Sequence, residues 1–286
     1  MITSNYERLK AELGSFSRAD YTCDSGFYLG YVLKKEQMIS PWGEMGTFCH
    51  SIAEAVGKGE YTEKDGLELF ENGFYDSLSV PFPATSNWPD PEGSYYKNIR
   101  PWFARDKWWD GEIIDIEKYV EFDLPSGQRM RGYIDQVIDE GGLKLKDFKV
   151  AKAFVGKKLK EKKRQLNLYS FAYHQETGIY PDLIEFDYFQ RGRFKPETMK
   201  FNYDEMMADV EWLDHRMGNI LARLRIMEAT GAKGLFNPPD SITDKNGNRN
   251  YYCKQVCGFR ENCPFTDGNH LKIFKTKELQ DIQIKK

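Results

Sequence analysis

The chain has 286 residues, 40% of them apolar and 30% charged, with a formal net charge of −3. That is an ordinary globular composition, long enough for one large domain or two small ones around a substantial core. It excludes an argument for nucleic acid from whole-protein charge. No apolar run approaches a membrane span, and the first residues are polar (Asn5, Glu7, Arg8, Lys10), so neither a membrane partner nor an export signal is expected. Five cysteines, an odd number, then point to a reducing, cytoplasmic setting in which they are ligands or free thiols.

In chain order, residues 5–13, 44–57 and 63–78 read as helices. The Pro/Gly-rich stretch from Pro81 to Gly93 reads as a loop, and residues 95–109 as an aromatic helix. Residues 44–76 carry eight acids and two bases. Next, Ile114, Ile116, Val120, Phe122 and Leu124 alternate as a half-buried strand does. Pro125-Ser126-Gly127 is a turn, and strands follow over 128–139 and 143–150. A helix is expected over about 160–177, then strands over 181–190 and 198–203. Met206, Val210, Leu213, Met217, Ile220, Leu224 and Met227 mark the clearest helix. Asn202 or Asp204 caps its start and Gly231 its end. Residues 232–250 read as loop, before a cysteine cluster and a basic tail. The sum is a mixed α/β domain wrapped by helices.

Charge is distributed unevenly. Residues 149–164 hold eight bases against Glu161, a phosphate-tracking surface or a solvated helix face. Lys152, Lys157, Lys158 and Arg164 are the candidate DNA contacts within it. Trp102, Trp108 and Trp109 either guide a strand or fill the core.

Asp147 and Lys149 stand two apart on a strand and so share a face, while Phe148 points away and packs. Asp135, on the preceding strand, meets Asp147 only if the connection is the three-residue loop Glu140-Gly141-Gly142. That loop pairs 135 with 147 and Val137 with Leu145, and it needs glycine at its left-handed position. Two neighbouring carboxylates repel unless a cation lies between them, and an oxygen-rich site of this kind suits Mg²⁺ or Mn²⁺. Taken alone, Asp-x-Lys on a strand is an ordinary surface ion pair.

Gly132-x2-Asp135 followed by Asp147-Phe148-Lys149 resembles the core of the PD-(D/E)xK nuclease superfamily, nearest its RecB-like branch, which includes the AddB nuclease and the CRISPR-adaptation exonucleases. Gly46-Thr47-Phe48-Cys49-His50 resembles that branch's upstream Gly-Thr-x2-His helix, and Gln165-x3-Tyr169 its downstream Gln-x3-Tyr helix. Ile134 and Asp147 replace the Pro and Glu of the superfamily name. The resemblance implies a restriction-endonuclease-like mixed sheet flanked by helices. It implies metal ligation by His50, Asp135, Asp147 and the Phe148 carbonyl, catalysis by Lys149, and a site lined by Gln165 and Tyr169. Glu54, one turn after His50, either orients that imidazole or is a surface acid.

Cys253-x3-Cys257-x5-Cys263, with Cys23 far upstream, resembles the same branch's iron–sulfur pattern. The match extends to Tyr21-Thr22-Cys23 and to Cys257 through Pro264. Four thiolates suit a 4Fe–4S cluster or zinc, and spacing does not choose between them; the resemblance implies 4Fe–4S. Its role would be structural, since it closes a very long loop between the N- and C-terminal helical segments. Cys49 reads as a buried free thiol.

Together these imply one nuclease domain over 1–286. A helical part, 1–110, carries Cys23 and His50; the core is 111–203; the last helix and cysteine cluster occupy 204–286. The activity implied is metal-dependent exonuclease action on single-stranded DNA or DNA ends. No phosphate-loop motif occurs, so any helicase, recombination or replication motor would be a partner. The alternative is a catalytically silent DNA- or partner-binding module of the same fold, stabilised by a cluster or by zinc.

Overall fold

The structure is a computed structural model that describes residues 4–16, 23–191, 196–231, 234–236, 250–260 and 263. Tyr21, Thr22, most of the 232–250 loop and the basic tail lie outside these. The chain divides into two compact units. The first comprises Met1–Ser40, Leu124–Met130 and Leu213–Lys286, the second Pro41–Asp123 and Arg131–Trp212. No helix among the described residues is long and apolar enough to cross a membrane.

In the first unit, helix α1 (Asn5–Ala11) starts on the Ser4 side chain, which caps the Glu7 amide. Strand β1 (Gly14–Ser15) lies close against Met130; a Cβ on Gly14 would stand 2.6 Å from the Met130 sulfur. Helix α2 (Asp24–Phe27) runs into a π-turn over Tyr28–Val32. Arg8 donates to the carbonyls of Tyr31 and Val32, at 3.1 and 2.9 Å. Asp24 is bound by Arg223 and, at 2.5 Å, by Arg216. Burial pushes its carboxyl up, but the hydrogen bonds and charges of the two arginines outweigh this and hold it below the usual range.

In the second unit, α3 (Pro41–Gly57), α4 (Glu63–Gly73) and α5 (Pro91–Phe103) precede the sheet. The starts of α4 and α5 follow their caps rather than the apolar periodicity. A reciprocal Thr62–Asp65 capping box starts α4. Asp90 caps α5, with Pro91 in its first turn, four residues earlier than the pattern suggests. Strands β2 (Glu112–Asp123), β3 (Arg129–Asp139) and β4 (Leu143–Lys149) are followed by α6 (Gly156–Thr177), β5 (Leu183–Tyr188) and β6 (Glu197–Lys200). Helix α7 (Tyr203–Thr230), whose residues are divided between the two units after Trp212, is capped by Asn202, which accepts from the Glu205 amide at 2.9 Å. Its stripe from Met206 to Leu224 is buried.

The six strands form one mixed sheet in the order β1-β3-β4-β5-β6, with β2 also on β3. β3–β4 and β5–β6 are antiparallel, and β4–β5 is parallel across α6. This is the expected mixed sheet flanked by helices. An aromatic core of Phe70, Phe74, Trp102, Phe103, Trp108 and Phe189 packs against Phe148 of β4 and against Cys49 of α3. Trp102 and Trp108 are therefore core residues, and Trp109 packs at its edge.

Strand β2 departs from simple alternation. Val120, Phe122 and Leu124 are buried, yet Ile114 is half exposed. Glu117 between them has φ +49°, in the left-handed region that a non-glycine residue seldom occupies. Gly57, the last residue of α3, allows Ile116 to approach; a Cβ there would stand 2.2 Å from the Ile116 Cδ1.

Candidate active site

The β3–β4 hairpin places the acids. Val137 pairs with Leu145 and Asp139 with Leu143, leaving the loop 140–142, with Gly141 at φ +78°. This is the three-residue connection expected from the sequence. Continued by two residues, the same register sets Asp135 beside Asp147.

Asp135 Oδ2 accepts the Phe148 backbone N–H at 2.6 Å and lies 3.6 Å from His50 Nδ1. His50 is carried by α3, and its ring stands edge-on to that of Phe148 with centroids 6.0 Å apart. Asp147 is 1% exposed. Lys149 Nζ stands 2.5 Å from its Oδ2 as an ion pair lacking hydrogen-bond alignment. Its buried Oδ1 has no hydrogen-bond partner. Lys149 donates to Gln165 Oε1 at 3.1 Å, and Gln165 Nε2 donates to the Tyr169 hydroxyl at 2.8 Å. Gln165 and Tyr169 are one turn apart on α6, so both reach this line. Gly132 is what admits the Tyr169 ring: a Cβ there would stand 2.5 Å from its Cε1.

Sequence reasoning missed Glu117. Its carboxylate, Asp135 and His50 form a set whose donor atoms all lie within 4.8 Å of one another. A cavity of about 420 Å³ opens in front of them, bordered by Gly46, Thr47 and Glu54. Glu54 is ion-paired with Lys58, just past the end of α3. The signal was in the first hairpin. Counting back along both strands from the Leu124–Gln128 bond at the turn brings Glu117 opposite Asp135.

The electrostatics are those of a site short of positive charge. Burial, reinforced by the charge of Asp147, pushes the Asp135 carboxyl well above its usual range; Lys149 and the Phe148 N–H offset this only in part. Burial and then Asp135 push Glu117 up to about 7. Burial holds His50 below its ordinary value despite the neighbouring Asp147, so its imidazole is neutral and free to ligate. The converging donor set of one imidazole and two carboxyl groups fits a hard divalent cation; Asp147, expected among the ligands, lies outside this set of three.

The basic residues are arranged differently from one another. Lys152 borders a second cavity. Lys157 is almost fully exposed, 3.6 Å from Glu161. Lys158 lies over the Phe154 ring. Arg164 is engaged by Asp209 at 3.2 Å and covers the Trp212 ring.

In the first unit, no disulfide joins the cysteines. Met38 N–H donates to the Gly258 carbonyl at 2.7 Å, and Arg260 donates to the Ile39 carbonyl at 3.2 Å. The segment that follows Cys23 is thus knitted to the one around Cys257. Leu29, Cys257 and Phe259 form a small core against which Cys263 packs. Burial, then the neighbouring Cys263 and Cys257, raise the Cys23 thiol to about 12, against backbone N–H groups of Gly26 and Ser25 that lower it. Cys257 Sγ accepts the Phe259 N–H at 3.4 Å. No three of these thiols lie within 4.8 Å of one another. Cys49 is buried, 3.9 Å from the Met45 sulfur, and burial raises its thiol pKa.

No protein-family model matches the chain, and no curated protein matches it in sequence. Among solved structures, the chain is similar to a candidate exonuclease from Eubacterium rectale. The TM-score is 0.50 at 15% identity, covering 80% of this chain and 88% of that one. A second solved protein, SSO0001, aligns over 85% of this chain and 93% of its own at 15% identity, with a TM-score of 0.29. The first likeness is one of fold, and it agrees with a nuclease-like arrangement of a mixed sheet flanked by helices.

Proposed function

We propose that the protein is a metal-dependent deoxyribonuclease, an exonuclease acting on single-stranded DNA or DNA ends. The observation that carries this reading is the pairing of a buried Asp147 and a partly buried Asp135 with one lysine, together with an Asp147 oxygen that has no hydrogen-bond partner. A buried, unsatisfied carboxylate oxygen costs about 1–3 kcal/mol or more, and a cation at that position removes the cost. His50, Asp135, Asp147 and the Phe148 carbonyl are the proposed ligands of Mg²⁺ or Mn²⁺, with Glu117 added by the geometry. A divalent ion there supplies Lewis acidity toward phosphate and activates water. Lys149 keeps a proton at Nζ and presents it to negative charge developing on the phosphate. Gln165 holds that ammonium in place, and Tyr169 holds Gln165. Lys152, Lys157 and Lys158 are proposed to meet the DNA backbone. Arg164, occupied by Asp209 and Trp212, would join them only by giving up those partners.

Cys23, Cys253, Cys257 and Cys263 are proposed to hold a structural 4Fe–4S cluster, with zinc the alternative. Backbone N–H groups aimed at the Cys23 and Cys257 sulfurs support thiolate ligands.

The test is cleavage of end-labelled single-stranded DNA by anaerobically purified protein with Mg²⁺ or Mn²⁺, with EDTA, and with Asp147→Ala. Cleavage that needs the metal and falls at least about a thousandfold in the variant is expected. An Asp147→Ala protein that cuts normally would refute the site. Cys257→Ser is expected to lose cluster colour and solubility. A colourless wild type carrying one zinc per chain would replace the cluster with zinc.

A further inference from the structure

The second cavity, of about 430 Å³, is used by no step above, yet its walls come from elements that build the acid site. Trp42 lies on α3 eight residues before His50, about 12 Å along the helix. Lys152 follows Lys149 by three residues. Gln190 follows Phe189, whose ring centroid is 5.9 Å from that of His50. Trp88, Tyr95 and Asn98 close the opposite side.

The lining is aromatic without being core. Trp42 Nε1 donates to the Tyr95 hydroxyl at 2.9 Å. Tyr95 stacks on buried Phe82 with centroids 4.5 Å apart. Trp88 stands 5.6 Å from Tyr95, on the loop before α5. All three rings are only partly buried, and they are held in place before any ligand arrives. Asn98 and Gln190 border the same space, Gln190 with its Nε2 donating to the Val150 carbonyl at 3.3 Å, and exposed Lys152 brings positive charge to it. A flat ring with a hydrogen-bonding edge, attached to an anionic chain, matches every part of this lining. A base inside a duplex hides both faces in its stack and does not match.

We propose that this cavity receives one unpaired nucleobase of single-stranded DNA, roughly three stacked nucleotides from the acid site. The proposal rests on the nuclease reading and deepens it: the cavity selects single strands by their bases. The test is binding in EDTA, where cleavage plays no part. The probes are a thymidine oligomer, an abasic oligomer of equal length and a blunt duplex. Wild type is expected to bind the thymidine strand roughly 5- to 100-fold more tightly than the abasic one. Trp88→Ala should lose most of that preference while keeping its abasic affinity and its Mg²⁺-induced rise in melting temperature; Trp88→Phe should restore it. Equal wild-type affinity for the two strands overturns the proposal, as does a folded Trp88→Ala that keeps the preference. Cleavage without base preference removes the cavity's role and leaves the nuclease. Base preference without cleavage removes the nuclease and leaves the cavity as a binding site.

Discussion

The two faces of strand β4 bury charge in opposite ways. On one face, Lys144 and Lys146 meet Glu185 at 3.2 and 3.1 Å, and Asp187 receives Trp102 Nε1 at 2.8 Å and Arg105 at 3.2 Å. Thr198 adds a hydrogen bond of 2.6 Å to Glu185. Burial pushes the Glu185 carboxyl up, but Lys146, Thr198 and Lys144 outweigh it and hold it below its usual range. On the other face, Asp135 and Asp147 share Lys149, Glu117 has the more distant Lys58, and Asp135 and Glu117 are both pushed up. The first face is electrostatically closed and holds the sheet together. The second is closed only by a cation from outside, which is how one strand carries both a structural and a functional ion network.

The comparison is broken most severely on the closed face. Lys146→Ala leaves Glu185 and Asp187 buried with fewer cations, so unfolding in urea should show a loss of about 3–5 kcal/mol. No comparable loss is expected on the open face. There, Glu117→Gln should raise metal-free stability above pH 7 by about 1–2 kcal/mol, discounted for solvent screening, because it removes a carboxylate whose charge the fold disfavours. The same variant should weaken Mg²⁺ binding about tenfold, measured by titration calorimetry. If it left both stability and affinity untouched, Glu117 would not belong to the site.

The smallest effect lies in pH. Asp135 and Glu117 have folded pKa values above their unfolded ones; the Glu117 contribution to metal-free stability is complete below about 4.5 and is lost as pH rises through about 7, and that of Asp135 falls in the same direction. His50, shifted down, opposes this: its contribution is present above about 6.5 and fades as pH falls. A cation needs the carboxylates ionised and the imidazole neutral, so both trends favour it at higher pH. The rise in melting temperature on adding Mg²⁺ should therefore grow between pH 5 and 7.5. A rise of equal size at both pH values would remove these three residues from the ligand set.

Much of the site was legible in the chain. Asp147 and Lys149 share a face because strand side chains alternate. A Gly-bearing three-residue loop then has one register that brings Asp135 to them. Gly132 was legible only through resemblance; its physical reason, the Tyr169 ring lying against the strand, belongs to packing between β3 and α6.

What the sequence by itself determined is local: helix caps, turn type, strand parity and the order of the motif residues. These depend on a residue and its near neighbours, and backbone sterics and capping chemistry decide them. Only the tertiary structure decided that Trp102 and Trp108 are core while Trp42, Trp88 and Tyr95 border a cavity. It also decided that Lys146 finds Glu185 across the parallel pair, and that the Glu117 and Asp135 carboxyl groups converge with His50 from α3. Those outcomes depend on elements distant in the chain, and no periodicity encodes which of several equally aromatic or equally charged residues the packing will enclose.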